Sequence, residues 1–185
     1  MDHFTPKLWL GMTATPDKRD DNVEGRNVYE IFNYQIAYEI RLQQAMEENL
    51  LCPFHYFGIT DLSMIGDEEA ARDFNMLTSD ERVRHIVNQA DYYGYSGAKV
   101  KGLIFCSNIK ETEELSAKFN QIINPATGKN FRTVAVKGSA SEQERQDAFE
   151  RLAMNEDESS EDRQPLDYIF SVEILNEGVD IVEVN

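Results

Sequence analysis

Four short polar clusters in this 185-residue chain carry the residue types that bind phosphate groups. The first holds Thr13 and Thr15, just ahead of Pro16. The second is Ser107 and Asn108, and the third is Gly138-Ser139-Ala140-Ser141. The fourth is Asn176-Glu177-Gly178, with Asp180 two residues on. Each follows an apolar run that reads as a strand. Hydroxyls, glycines and free backbone amides at strand ends are the donors an anion needs. Ser139 and Ser141 precede a helical stretch, where the helix dipole favours negative charge. Gly178 can take a positive φ or admit a ligand close to the backbone, and Asp180 places a carboxylate just past that turn. Caps and tight turns use the same residues for structural ends. Four clusters along one sheet edge favour a ligand-binding edge, because ligands of open α/β sheets collect there.

Other chemistries find no footing in the spacing. There is no GxxxxGK[ST] and no GxGxxG after a strand. His3, His55 and His85 have no metal spacing, and no Ser-His-Asp or Cys-His arrangement can be assembled. His55 falls within an apolar stretch and reads as a core residue. Cys52 and Cys106 lack a CxxC companion; Cys106 lies in an apolar run and reads as a buried reduced thiol.

The elements that must position these clusters follow from periodicity. Residues 7–12 form a short apolar run that Pro16 must end, since proline cannot donate to a ladder. Residues 28–32 read as a short helical turn, 35–40 as a strand, 42–50 as a helix and 54–59 as a strand. A short helix is expected over 67–74. Thr78 or Ser79 caps a longer helix, with Thr78 and Glu81 in capping-box spacing and Val83, Ile86, Val87 and Ala90 as its buried stripe. Tyr92, Tyr93 and Tyr95 near its end suit either base stacking or sealing of the helix end. From residue 101 the pattern becomes regular: strand 102–107, helix 109–123, strand 132–136, helix from Ser141 and strand 168–172. Ser141 and Glu144 form a capping box, and Arg145, Ala148, Phe149 and Leu152 form that helix's inner stripe. Alternating strands and helices predict an α/β fold, with a mostly parallel sheet covered on both faces from about residue 54 onward.

Formal net charge is -16, from 34 acidic and 18 basic residues. That is a poor footprint for a stand-alone nucleic-acid binder, so any such contact must use a local patch, backbone amides or a partner domain. Residues 155–164 (NEDESSEDRQ) read as a solvated flexible loop. No apolar run is long enough to span a bilayer and no signal peptide opens the chain, so no membrane partner and a cytoplasmic location are expected.

The clusters together carry a resemblance. Leu10-Gly-Met-Thr-Ala-Thr-Pro16 resembles motif III of superfamily 2 helicases of the DEAD/DEAH-box type. Leu103-Ile-Phe-Cys-Ser-Asn108 resembles motif IV, and Phe170-Ser-Val-Glu-Ile-Leu-Asn-Glu-Gly-Val-Asp180 resembles motif V. Between them, Val136-Lys-Gly-Ser-Ala-Ser-Glu-Gln-Glu-Arg145 is similar to the segment in which a glycine or serine precedes a helix bearing an arginine. The nearest flavour is the branch of type III restriction helicase subunits, where NEGVDIP is typical. Val182 stands here in place of the proline, which changes the strand's exit and not the position of Asp180.

The resemblance implies a RecA-like fold: residues 1–34 as the tail of a first RecA-like domain with a linker, and 35–185 as a second domain truncated at its C-terminus. The phosphate loop and the acidic Mg²⁺ motif would precede the chain, and an arginine-finger motif would follow it. ATP and Mg²⁺ would then serve the complete protein, with the metal ligands outside this chain and no catalytic residue within it. By resemblance, Gly178 and Asp180 face ATP. Ser107, Asn108, Gly138, Ser139, Asn176 and Glu177 approach nucleic acid, DNA in preference to RNA, and Thr13 and Thr15 couple the two. Residues 7–12, cut off from their own sheet, are expected to be detached from the strand of residues 103–107. The rival expectation is a non-catalytic α/β interaction module that keeps the fold.

Overall fold

A computed structural model describes residues 5, 7–13, 16, 28–52, 54–59, 77–94, 100–172 and 184. The chain divides into two compact units, Met1–Tyr56 and Phe57–Asn185.

In the first unit, α1 (Val28–Ile31) and α2 (Leu42–Glu47) are short. The end of α2 is explicit. Asn49 takes a left-handed φ of 56°, Leu50 N–H donates to Ala45 O at 2.8 Å, and Asn49 N–H donates to Met46 O at 3.1 Å. This pair of bonds satisfies the terminal carbonyls and stops the helix, with asparagine in the place glycine usually takes. Residues 35–40, expected as a strand, are not one: Ile36 and Tyr38 are exposed and no ladder forms among the described residues. Residues 7–12 also form no strand. Leu8 and Met12 are 84% and 92% exposed, and Gly11 lies against the Phe32 ring, where a Cβ would collide. Among the described residues the run pairs with no strand.

The second unit holds the sheet. Its elements are α3 (Asp80–Tyr93), β1 (Gly102–Phe105), α4 (Ile109–Phe119), β2 (Thr133–Val136), α5 (Glu142–Ala153), a 3₁₀ turn (Glu156–Glu158) and β3 (Tyr168–Ser171). Among the described residues the sheet has three strands in the order β1-β3-β2, all parallel. The fold is α/β with helices on both sheet faces, consistent with a RecA-like architecture. The β1–α4–β2 crossover skips one strand position, and β3 returns into the gap. Mostly apolar and buried at every residue, β3 has the composition a doubly bonded central strand requires.

Alternation along the strands splits the core into two layers. Tyr168 and Phe170 pack with Val83 and Val87 of α3 and with Leu115 and Phe119 of α4. Ile169 packs on the other face with Val136, Leu166, and Ala148 and Leu152 of α5. At the amino ends of the strands, the buried Asp167 accepts the Arg132 N–H through Oδ2 at 2.8 Å, and Lys101 Nζ donates to Met154 O at 2.8 Å. The outer edge of β2 is blunted by Asn120, whose side chain accepts from Thr133 N–H at 2.8 Å and donates to Thr133 O at 3.2 Å.

Several sequence expectations need correction. Residues 54–59 form no strand: Phe54, Tyr56, Phe57 and Ile59 are exposed, because β-propensity without a ladder partner does not make a strand. Ser79, not Thr78, caps α3, accepting the Arg82 N–H at 3.2 Å, and Thr78 is buried instead. The α4 helix stops at Phe119 rather than at Ile123, which is 61% exposed. The acidic stretch is tied down: Arg132 pairs with Glu156, and Arg163 reaches Glu150 at 2.7 Å and Asp147 at 3.1 Å. The helix expected over 67–74 lies outside the described residues.

Candidate functional site

Strand register decides which clusters meet. Phe105 of β1 and Val136 of β2 both stand opposite Ser171 of β3, so the three carboxyl ends finish level. The chain leaves β1 toward α4 on one face and leaves β2 toward α5 on the other, with β3 between them. Two of the four polar clusters, Ser107-Asn108 and Gly138-Ser139, follow β1 and β2 at this carboxyl edge, and all four residues are exposed. Lys137 Nζ reaches Glu113 of α4 at 2.6 Å and ties the two turns together.

The β1–α4 turn is densely bonded. Asn108 caps α4, its Oδ1 accepting the Glu111 N–H at 2.9 Å, and its backbone O accepts the Thr112 hydroxyl at 2.8 Å. The Glu111 carboxylate turns back: Oε2 accepts the Ser107 N–H at 2.7 Å and the Ser107 hydroxyl at 2.6 Å. Its Oε1 accepts from Arg82 of α3 at 2.9 Å, and Arg82 also donates to Leu77 O. Sequence reasoning missed both Glu111 and Arg82. The signal for Glu111 was present in Asn108-Ile-Lys-Glu111, an N-cap residue followed three positions later by glutamate. Its carboxylate serves the residue before the cap rather than the cap itself.

The β2–α5 turn follows its sequence pattern. Ser141 Oγ accepts the Glu144 N–H at 3.2 Å, while Glu144 Oε2 accepts the Ser141 N–H at 2.7 Å. The Ser141 N–H foremost, and the Ser141 hydroxyl donating to the same Oε2 at 2.8 Å, hold the Glu144 carboxyl below its usual range. Arg145 donates to Gly138 O at 2.9 Å and so fixes the glycine turn from within α5. Two buried polar atoms in this region, Arg145 Nε and Ser171 Oγ, have no hydrogen-bond partner among the described residues.

No protein-family model matches the chain, and no curated protein matches it. The local geometry therefore carries the assignment of the site.

The remaining site residues separate into two groups. Asn176, Glu177, Gly178 and Asp180 lie outside the described residues, as does Thr15. Thr13 is described and exposed, and belongs to the first unit. Among the described residues, no group of three or more His, Cys, Asp or Glu side chains could hold a metal ion. No described helix is long and apolar enough to cross a membrane.

Both cysteines are free thiols. Burial raises the Cys106 thiol to about 11, and the Thr112 hydroxyl opposes the shift only in part. At the end of α3, Tyr93 meets Phe57 at a tilt with centroids 4.4 Å apart, and Tyr92 meets Tyr93 edge-on at 4.8 Å. Tyr92 is 79% exposed, and Tyr95 lies outside the described residues.

Proposed function

We propose that this chain is the second RecA-like portion of an ATP-dependent nucleic-acid helicase or translocase, DNA being the preferred polymer. The observation that carries the reading is the level carboxyl edge of β1, β3 and β2, which sets Ser107-Asn108 and Gly138-Ser139 at one sheet edge, after the two strands that flank β3. The chain continues from Ser171, at the centre of that edge, into the segment that contains Gly178 and Asp180. In this reading the two turns follow a nucleic-acid backbone, and Gly178 and Asp180 form one wall of an ATP site. A first RecA-like domain provides the other wall, with the phosphate loop and the Mg²⁺ ligands. Phosphoryl transfer by such cores is mostly positioning and charge stabilisation, so one wall alone does not turn over ATP.

The formal charge of -16 favours a second reading, a non-catalytic protein-interaction module on the same fold. A titration of fluorescein-labelled single-stranded DNA with the purified chain separates the two. The helicase reading expects saturable binding that weakens with salt and weakens further on Gly138→Asp, which brings a carboxylate to the turn. Absence of binding at low salt, with the chain folded, would reject it.

A further inference from the structure

Glu111 occupies a place that chemistry ordinarily reserves for a bound anion. Three donors converge on its carboxylate: the Ser107 backbone N–H, the Ser107 hydroxyl and the Arg82 guanidinium, at 2.7, 2.6 and 2.9 Å. A backbone amide ahead of a helix, a hydroxyl and an arginine make a donor set suited to a carboxylate or phosphate oxygen. The Glu111 side chain is only 3% exposed and Arg82 only 14%, so the pair is largely withdrawn from water. A carboxylate in such a place is retained only when its oxygens are satisfied, and here both are.

We propose that Glu111 is the positioning residue of the β1–α4 turn, an internal anion that fixes this strand end with Arg82 as its counter-charge. This rests on the nucleic-acid reading above only for what the turn then contacts. Both Ser107 donors are consumed, so Ser107 shapes the turn and does not itself grip a phosphate. The Asn108 amide nitrogen spends one hydrogen on Ser107 Oγ at 3.2 Å. Its second hydrogen is the donor the two side chains leave for an incoming backbone. Arg82 comes from α3 and Glu111 from α4, so the orientation of Asn108 depends on how these two helices pack. An exposed Glu one turn further along the same helix, Glu114, has no such role.

The test uses the full chain carrying Glu111→Ala, the near-isosteric Glu111→Gln and the control Glu114→Ala. The Ser107 amide resonance is followed by two-dimensional NMR, and affinity is read with a fluorescein-labelled single-stranded DNA. Loss of the carboxylate should move the Ser107 amide resonance upfield and weaken DNA binding by about tenfold, with Glu111→Gln intermediate. Sodium formate should restore both in Glu111→Ala, whereas sodium chloride at equal ionic strength should not. Glu114→Ala should match the unmodified chain. An unmoved Ser107 resonance in Glu111→Ala, or failure of formate to return it, would overturn the proposal. So would unchanged DNA affinity in a folded Glu111→Ala, which reduces Glu111 to a structural anchor. If the unmodified chain binds no DNA, the helicase reading fails, and the amide and formate measurements still decide whether Glu111 sets the turn. Should Glu111→Ala fail to fold, the Glu111→Gln arm decides alone.

Discussion

The ring of Phe119 meets Phe170 edge-on, with centroids 5.1 Å apart and planes at 70°. This contact fastens α4 to the central strand, and Phe131 and Tyr168 extend the group at 5.4 and 6.1 Å from Phe119. Edge-to-face packing adds to the area term for such rings. Phe119 is 1% exposed and Phe170 fully buried, so neither site can relax into solvent. Phe119→Ala is expected to cost about 3–5 kcal/mol. Urea titration of the chain reads this as a lowered midpoint with an unchanged slope. A loss below about 1 kcal/mol would mean that Phe119 is not the link between helix and sheet.

The capping box of α5 makes a local prediction. Ser141→Ala removes the hydroxyl that accepts the Glu144 N–H and should cost about 1 kcal/mol. Ser141→Asp keeps an acceptor and should cost less. The Glu144 carboxyl titrates below its usual range because the Ser141 N–H and hydroxyl both donate to it. In Ser141→Ala the backbone bond survives, so carbon-detected titration should find Glu144 moved only part of the way back.

Stability should fall on both sides of neutrality, for opposite reasons. Asp80, Glu144 and Glu150 have carboxyls lowered by hydrogen bonds from Lys118, Ser141 and Arg163 respectively. The unfolded chain therefore binds more protons in acid. This contribution is present above the ordinary carboxyl values of 3.8 to 4.5 and is lost as pH falls through the lower folded values. On the alkaline side, burial first and then the Asp167 charge raise Tyr168 from 10.0 to about 12. Between these values the folded chain binds more protons, so stability declines as pH rises from 10 to 12. The whole shift corresponds to about 2–3 kcal/mol. Tyr168→Phe should flatten that limb of a stability–pH curve; an equally steep decline in the variant would sink the assignment.

Thiol reactivity should divide the two cysteines. Cys52 is exposed, and Cys106 is partly buried with its thiol raised to about 11. At pH 8 roughly one Cys106 thiol in a thousand is ionised, and the thiolate is the reactive form. Iodoacetamide should modify Cys52 first by a wide margin in the native chain, with both equal in denaturant. Mass spectrometry of the peptides measures the ratio, and comparable native rates would refute the burial of Cys106.

Much of the fold was legible because it is written locally. The serine and glutamate at 141 and 144 specify a helix start through bonds spanning three residues, and they form it. Tyr168–Ser171 is apolar enough to read as a buried strand, and it is one. The stripe of Val83 and Val87, and that of Leu115 and Phe119, follow helical spacing into the core. What sequence alone determined was thus the helices and strands between residues 80 and 171, apart from the end of α4, and that Ser107-Asn108 and Gly138-Ser139 follow strands. Only tertiary structure decided that β3 inserts between β1 and β2, which makes Ser107-Asn108 and Gly138-Ser139 the two sides of one edge. It also decided that Glu111 is buried, since an acid in a first helical turn ordinarily faces water, and here Arg82, 29 residues earlier, pairs with it. Residues 54–59 carry strand composition without becoming a strand, because a ladder needs a neighbour that a segment's own residues do not specify.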